Sequence, residues 1–113
     1  MPLFSFIVIA YNVSAYIETC LDSLKKQKGA EYEIIVVNDA STDDTLDTIY
    51  RCAADDSRFH VINKKTNGGA HLARRDGVLS SSGRFIVFVD GDDELSPSFC
   101  DLWGRMLLLI SLI

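Results

Sequence analysis

Short apolar runs alternate along the chain with stretches whose apolar residues recur at helical spacing. The runs are rich in Phe, Ile and Val, which favours strands, and they are bounded by polar or glycine-containing segments. They occupy residues 4–10, 33–37, 59–62 and 85–89. The chain is therefore predicted to contain four strands separated by three helices.

Three helical stripes lie between these runs, each with apolar or small residues three or four positions apart. Ser14 is expected to cap the first helix, which Gly29 would stop, and Ser41 with Asp44 resembles a capping box for the second. The expected inward-facing residues are Ile17, Cys20, Leu21 and Leu24, then Leu46, Ile49, Tyr50 and Ala53, then Ala70, Ala73 and Gly77. Gly77 in a helix interior predicts close approach to the sheet.

A β-α-β-α-β-α-β pattern with short connections predicts an α/β fold with one parallel sheet, because parallel crossovers are right-handed and place helices on the sheet's faces. The expected strand order is 3-2-1-4, with the reversal between strands one and four. Tyr11, Asp39 and Asp90 each follow a strand or end it. This topology would gather them along one edge of the sheet, where open α/β sheets bind ligands.

The last predicted strand, residues 85–89, is continuous rather than alternating, which predicts burial on both faces. It is followed directly by Asp90, Asp92, Asp93 and Glu94. Carboxylates this close repel one another unless they are solvated, protonated or facing a cation, and a hard divalent ion would resolve the repulsion. Solvated turn residues are the alternative explanation. The spacing does not fit an EF-hand, since Leu95 stands where the loop glycine is needed.

Composition narrows the functional classes. The chain has 113 residues, 48% of them hydrophobic, which is enough for one globular domain with a small core. A net charge of −5 disfavours a nucleic-acid-binding protein. Three widely spaced cysteines indicate a reducing compartment and buried small hydrophobes. No secretory leader is evident, so a cytoplasmic protein is expected, with association of the parent protein to the inner membrane face left open.

Residues 102–113 differ from the rest of the chain because they are apolar nearly all round. The segment is too short for a membrane-spanning helix, and on a surface it would expose a large apolar patch. We therefore divide the chain into residues 1–101 and an apolar C-terminal segment, 102–113. Either something covers that segment, self-association being one expectation, or the chain stops before its covering layer.

No G-x-G-x-x-G follows the first strand and no P-loop motif occurs, so the common backbone cradles for phosphate are absent from the sequence. Residues 90–94 are called the acidic turn below. A metal held by the acidic turn would be another way to neutralise phosphate. Four motifs in order resemble the family 2 glycosyltransferases of the GT-A fold over residues 4 to 100. They are FIVIAYN (6–12), EIIVVNDASTD (33–43), NGG (67–69) with AR (73–74), and GRFIVFVDGDD (83–93).

The resemblance implies a Rossmann-like GT-A half-domain that binds a nucleotide-diphosphosugar, often a UDP-sugar, and transfers the sugar with inversion to a carbohydrate or lipid-linked acceptor. It implies that Tyr11 packs on the base, that Asp39 hydrogen-bonds the base, and that Arg74 lies near the diphosphate or the base. Asp90 would reach the ribose or metal, and Asp92 would ligate Mn²⁺ or Mg²⁺. The matched motifs place four further residues at the nucleotide: Ala10, Asn12, Asn67 and Gly68.

Departures from the family pattern limit what the resemblance implies. Arg75 stands where the family commonly has Asn, and no catalytic base can be assigned, since in the family it lies well downstream of the acidic motif. The chain is thus expected to be the donor-binding fragment of an inverting transferase, inactive by itself. A non-catalytic nucleotide-binding module and a sugar nucleotidyltransferase are the alternatives.

Overall fold

A computed structural model describes residues 1–111 and forms a four-stranded parallel sheet in the order β3-β2-β1-β4. Both the α/β class and the strand order predicted from the sequence are confirmed. The strands are β1 (Phe4–Ala10), β2 (Tyr32–Asp39), β3 (Phe59–Lys64) and β4 (Phe85–Asp90). The helices are α1 (Ile17–Lys25), α2 (Thr45–Ala53), α3 (Ala70–Leu79) and α4 (Phe99–Ser111).

The core lies on both faces of the two central strands. On one face, side chains such as Phe6 and Ile34 pack in a large cluster with α1, α2 and α4. On the other face, Ile7 and Ile35 pack against Ala73 of α3. A Cβ at Gly77 would collide with Ile7, so the close approach predicted for this glycine is present.

The predicted helix starts were wrong in detail. Helix α1 begins at Ile17, ends before Gly29 and has no side-chain cap, and the backbone N–H of Ser14 donates instead to Asp43. Helix α2 begins at Thr45 without a capping box. Asp43 accepts hydrogen bonds from both the backbone N–H and the hydroxyl of Thr45, whereas Ser41 accepts from Asn12. Ser14 and Ser41, which were expected to cap helices, thus connect neighbouring loops, Ser14 through its backbone N–H and Ser41 through its hydroxyl.

The first predicted helical stripe is buried as expected, but the other two were partly wrong. In α2 the buried positions are Thr45, Ile49 and Cys52, while Tyr50 is exposed. In α3, Ala73 and Gly77 are buried but Ala70 is exposed. Helices α2 and α3 therefore bury fewer residues against the sheet than their apolar residues suggest. The three cysteines are all free and buried, as predicted.

Strand β4 is not buried on both faces, contrary to the expectation from its continuous apolar run. Phe85, Val87 and Val89 face the large core, but Ile86 is 39% and Phe88 50% exposed. The reason is position: β4 is an edge strand of this sheet, and α3 packs over β1 and β2 rather than over β4.

Helix α4 contains most of the apolar C-terminal segment, although it begins before residue 102. Phe99 packs on Phe4 and Phe6, with ring centroids 5.6 and 5.9 Å apart. The opposite face exposes Leu102, Met106, Leu109 and Ile110, as well as Trp103. The last two residues of the predicted segment lie outside the described residues. Within residues 1–111, no helix is both long and apolar enough to span a bilayer.

Candidate functional site

The carboxyl ends of β1, β2 and β4 lie side by side, because Ala10 is in register with Asn38 and Ile9 with Asp90. The loops that follow these ends therefore form one rim of the sheet. Tyr11, Asp39 and Asp90, which are far apart in sequence, all lie on this rim, as the topology predicted. The side chain of Tyr11 is 45% exposed, so it is not a core aromatic.

The loops after β1 and β2 are joined by hydrogen bonds centred on Asn12. Its backbone N–H donates to Ser41 Oγ at 3.1 Å, and its Oδ1 accepts the Thr42 N–H at 2.8 Å. The N–H of Val13 donates to Thr45 Oγ1 at 2.9 Å. Asn12 has φ +51°, in the left-handed region that Asn tolerates better than most residues. Asn12 therefore orders the loop that presents Tyr11.

Asp43 completes this connection from the second loop. Its carboxylate accepts hydrogen bonds from Thr45 and from the N–H of Ser14. These bonds, the Thr45 hydroxyl first among them, hold the pKa of Asp43 below its ordinary value. Sequence reasoning missed this role, although an Asp two residues before a Thr is a recognisable local signal for such a turn.

Asp39 holds the glycine loop, residues 67–69. It is only 2% exposed, and its two carboxylate oxygens accept the backbone N–H groups of Gly68 and Gly69, each at 3.0 Å. Asn67 accepts from the same Gly69 N–H. Gly69 has φ +86°, a backbone conformation that disfavours other residues. The structure thus brings together Asp39, Asn67 and Gly68, which sequence reasoning had only placed in separate motifs.

An ion pair between Lys64 and Asp76 lies next to the glycine loop. Lys64, at the end of β3, lies 2.7 Å from Asp76 of α3, and its hydrogen bond is the main reason that the pKa of Asp76 is lowered. A Cβ at Gly68 would lie 3.2 Å from Lys64 Nζ, so the lysine packs directly under the loop. Neither residue was singled out from the sequence, where isolated charges give no signal of a pair.

Arg74 of α3 reaches over to the end of β4. Its Nη2 lies 3.8 Å from Asp90 Oδ1, and its guanidinium lies 5.9 Å from the centroid of the Phe88 ring. The structure therefore places one cation of α3 beside the first carboxylate of the acidic turn. Arg75 lies 3.6 Å from Asp76 instead.

Asp90, Asp92 and Asp93 form a compact carboxylate group, in which one oxygen from each lies within 4.8 Å of the others. All three side chains are exposed, and exposed acidic groups are common without an ion. Three oxygen donors nevertheless suit Mg²⁺ or Mn²⁺ chemically. The sequence pointed to Asp90 and Asp92 as ligands; the geometry adds Asp93, whose N–H donates to the Asp90 carbonyl at 2.9 Å.

The negative field of the acidic turn extends to the buried thiol of Cys20. Burial first, and then the charges of Asp93, Asp92, Asp90 and Glu94, raises the pKa of Cys20 to about 12. The thiol also donates to the Asp90 carbonyl at 3.6 Å. Four carboxylates close together in the sequence give the turn a negative electrostatic potential, which favours a cation.

Two cavities are alternative locations for the site. One of about 420 Å³ adjoins the acidic turn and is lined by Tyr16, Thr19, Asp92, Asp93 and Glu94. A larger one, of about 600 Å³, lies at the amino ends of β2 and β3, beside Tyr32 and Arg58. There Arg58 is already paired with Asp56 at 2.8 Å and hydrogen-bonded to Tyr32. We place the candidate site at the acidic rim, because its charged groups still have unused ligand capacity.

Comparison with known proteins finds a family model and relatives that match most of the chain. The family model described as "Glycosyl transferase family 2" matches residues 5–106. Among curated relatives, the uncharacterized glycosyltransferase EpsJ of Bacillus subtilis (strain 168) is 44% identical over 98 residues. Chondroitin synthase of Pasteurella multocida (strain Pm70) is 35% identical over 102 residues. These matches include 87% and 90% of this chain, but only 28% and 10% of the relatives.

Solved structures give the same result. The chain is similar to S. aureus TarS 1-349 in complex with UDP-GlcNAc, with a TM-score of 0.86 and 34% identity. That match covers 92% of this chain and 30% of the solved TarS 1-349 chain. It is also similar to Mycobacterium tuberculosis glucosyl-3-phosphoglycerate synthase in complex with Mn²⁺ and UDP, at 27% identity and a TM-score of 0.74. There the match covers 94% of this chain and 40% of the synthase.

Proposed function

This chain belongs to glycosyltransferase family 2, and from that premise we propose that it is the donor-binding part of an inverting glycosyltransferase. The donor would be a nucleotide-diphosphosugar, with a UDP-sugar favoured. An acceptor hydroxyl attacks the anomeric carbon, its proton leaves to a base, and the bond from that carbon to the phosphate oxygen breaks. The nucleoside diphosphate departs with the bonding electron pair.

The observation that supports this proposal best is the carboxylate group of Asp90, Asp92 and Asp93 beside Arg74 at one strand end. These carboxylates would hold Mn²⁺ or Mg²⁺, which supplies positive charge to the departing diphosphate when bound. The TarS complex with UDP-GlcNAc and the synthase complex with Mn²⁺ and UDP concern similar proteins and favour the same ligands here.

The remaining rim residues are proposed to bind the nucleoside. The exposed ring of Tyr11 offers a face for the base, and Asn12 with Ala10 sets the loop that presents it. Asp39 would accept a hydrogen bond from the base while it holds the loop of Asn67 and Gly68. This is possible because each carboxylate oxygen keeps a second lone pair. Arg74 would lie near the diphosphate.

The acceptor side of the reaction remains a proposal without residues of this chain. We assign no catalytic base among the described residues, and we propose that a carbohydrate or lipid-linked acceptor is bound by sequence outside this span. Residues 1–101 would be the nucleotide-binding part, and the isolated chain would show little transfer. A cytoplasmic location, association with the inner membrane face and self-association through the C-terminal segment also remain predictions.

A purely nucleotide-binding role is the second candidate, because the chain spans 28% of EpsJ and 30% of the solved TarS 1-349 chain. Assays of sugar transfer and donor hydrolysis with the 113-residue chain distinguish the two. Turnover would favour the enzyme, whereas nucleotide binding without turnover would favour the binding module. Release of pyrophosphate from a nucleoside triphosphate and a sugar phosphate would instead indicate a nucleotidyltransferase.

Calorimetric titration with UDP tests the metal role directly. We expect UDP affinity to increase at least about tenfold when Mn²⁺ is added, because the ion shields carboxylates and diphosphate from each other. Asp92→Asn should lose that increase and keep the fold. Asp47→Asn, which changes an exposed carboxylate on α2, is the matched control and should behave like the parent chain.

Equal UDP affinity with and without metal would contradict the role of Asp92 while leaving nucleotide binding intact. Absence of UDP binding in either condition would contradict the donor site itself. The two results are therefore separable.

A further inference from the structure

The acidic turn begins with its backbone held against β1 and α1. The Gly91 N–H donates to the Ile9 carbonyl of β1 at 3.0 Å. The Cys20 thiol of α1 donates to the Asp90 carbonyl at 3.6 Å. Gly91 is buried, and a Cβ at this position would lie only 3.0 Å from the Ile9 carbonyl oxygen. The first two residues of the turn are therefore fixed by contacts with two other elements.

Ser23 of α1 holds the chain directly after the turn. Its hydroxyl donates to the Cys20 carbonyl at 2.6 Å and accepts the Leu95 N–H at 3.0 Å. A hydroxyl can make both bonds, because it has one proton and two lone pairs. One side chain thus connects the backbone of α1 to the first residue that follows the acidic turn.

Gln27, just beyond the end of α1, holds the next part of the chain and is only 5% exposed. Its Nε2 donates to the Ser96 carbonyl at 2.6 Å and to the Ser23 carbonyl at 3.3 Å. Its Oε1 accepts the Cys100 N–H at 2.9 Å. The first N–H groups of a helix have no partner inside that helix, so Gln27 supplies an acceptor to the start of α4.

Between these anchors the side chains of the turn point to solvent. Residues 92–94 are exposed, whereas Gly91 is buried and Leu95 is half-buried. One oxygen from each member of the carboxylate group lies within 4.8 Å of the others, although carboxylates this close repel one another. Repulsion would spread a turn that was free to move, and the hydrogen bonds at its two ends oppose that spreading.

We propose that Ser23 and Gln27 are positioning residues for the carboxylate group. Their hydrogen bonds fix the backbone on the C-terminal side of the acidic turn, so its carboxylates are already close enough to share one divalent cation. Neither side chain touches the ion. A cation then binds without having to order the turn, which raises its affinity. The inference rests on the proposed function, because it takes the carboxylate group as the metal site.

A purely structural role for these two residues has a different consequence. The same hydrogen bonds attach the segment that leads into α4, so removing them would lower the free energy of unfolding in either case. The affinity of the folded chain for Mn²⁺ separates the two roles. A contact that only stabilises the fold would leave this affinity unchanged, whereas a positioning contact would raise it.

Titration of the 113-residue chain with Mn²⁺ alone, followed by electron paramagnetic resonance of the free ion, measures that affinity. Ser23→Ala and Gln27→Met should each weaken it by about tenfold, the lower end of the loss expected for residues that support metal ligands. Ser23→Thr keeps the hydroxyl and should bind Mn²⁺ like the parent chain. Ser81→Ala is the matched control, since this hydroxyl also donates to a carbonyl three residues earlier at 2.6 Å, but in the loop before β4.

Amide hydrogen exchange in metal-free buffer gives an independent readout, after circular dichroism has established that each variant is folded. Ser23→Ala should speed exchange at Leu95, which loses its acceptor, and at Asp93, whose N–H donates to the Asp90 carbonyl within the turn. The amides of β2 should exchange as in the parent chain. Unchanged exchange at both Leu95 and Asp93 would overturn the proposal.

Unchanged Mn²⁺ affinity in folded Ser23→Ala and Gln27→Met would overturn the positioning role and leave the metal site of the proposed function intact. A loss in Ser23→Thr or Ser81→Ala as large as that in Ser23→Ala would also overturn it, because the effect would not depend on the Ser23 hydroxyl. Absence of Mn²⁺ binding by the parent chain would contradict the metal site itself, and the inference with it. The failure of the inference and the failure of the proposed metal site therefore give different results.

Discussion

Asp39 ends β2 and Asp92 follows β4, on either side of β1 along the same rim, yet their surroundings are opposite. Asp39 is buried, and both of its carboxylate oxygens accept backbone N–H groups. Asp92 is exposed, and its nearest charged companions are two other carboxylates. Asp39 thus holds the glycine loop in place, while the charge of Asp92 remains available to a ligand. The difference shows that residue type and strand-end position do not by themselves determine the role.

Removing Asp39 should have the largest effect on this contrast. Asp39→Ala leaves the Gly68 amide without its acceptor and the Gly69 amide with Asn67 alone, and we expect the free energy of unfolding to fall by about 2 kcal/mol. Asp39→Asn keeps one acceptor oxygen and should lose about half as much. Urea denaturation followed by circular dichroism measures both.

Asp92→Ala is the matched control, since no amide depends on that side chain in the described residues. Its free energy of unfolding without metal should equal or slightly exceed that of the parent chain, because carboxylate repulsion is relieved. Equal losses at positions 39 and 92 would remove the distinction between a structural and an available carboxylate.

Divalent metal should stabilise the folded chain through the exposed carboxylates and not through Asp39. At about ten times its dissociation constant, Mn²⁺ should stabilise the parent chain by about 1.4 kcal/mol, since it binds the folded carboxylate group. Asp93→Asn should reduce this gain, because its oxygen lies in the same group as those of Asp90 and Asp92. Thermal unfolding with and without Mn²⁺ measures the effect.

Asp44→Asn provides the control for that experiment, as it changes an exposed carboxylate outside the group. It should retain the full metal-dependent gain. If Asp93→Asn kept the whole gain as well, Asp93 would not be a ligand, and the group would be reduced to the two residues that the sequence indicated.

Acid should produce the smallest effect, through Asp43. Hydrogen bonds from Thr45 and Ser14 hold the pKa of the folded-state carboxyl below its ordinary value of 3.8. Its stabilisation is therefore fully present above that value and is lost as the pH falls through the lower, folded-state pKa. Asp43→Asn should make the free energy of unfolding less sensitive to pH below about pH 4.

Urea denaturation across that pH range, with Asp47→Asn on α2 as the control, measures the change in slope. An unchanged slope in Asp43→Asn would mean that the loop connection does not depend on ionised Asp43. The connection between the loops after β1 and β2 would then rest on Asn12 and Thr45 alone.

The fold itself could be predicted from local patterns. Apolar strands of about the right length, helical stripes such as Ile17 to Leu24, and right-handed crossovers leave few alternatives to a 3-2-1-4 parallel sheet. The positions of Tyr11, Asp39 and Asp90 on one rim followed from the topology. Short-range periodicity and chain connectivity were sufficient for these features.

The functions of individual polar residues could not be predicted in the same way. Ser14 and Ser41 look like helix caps in sequence, yet the first uses its backbone N–H, and the second its hydroxyl, to contact another loop. The Lys64–Asp76 ion pair joins a strand and a helix that no local pattern relates. Such contacts depend on distances between segments, which a linear pattern does not contain.

The amino-acid sequence alone determined the order of strands and helices, the acidic turn and the family resemblance, because these depend on residue type and spacing along the chain. Tertiary structure alone decided which acids are buried, that Asp93 joins Asp90 and Asp92, and that one face of β4 is uncovered. Burial and ligand geometry depend on what packs above each residue in space. A continuous apolar run such as β4 indicates that burial would be favourable. It does not indicate whether another layer of the structure covers the strand.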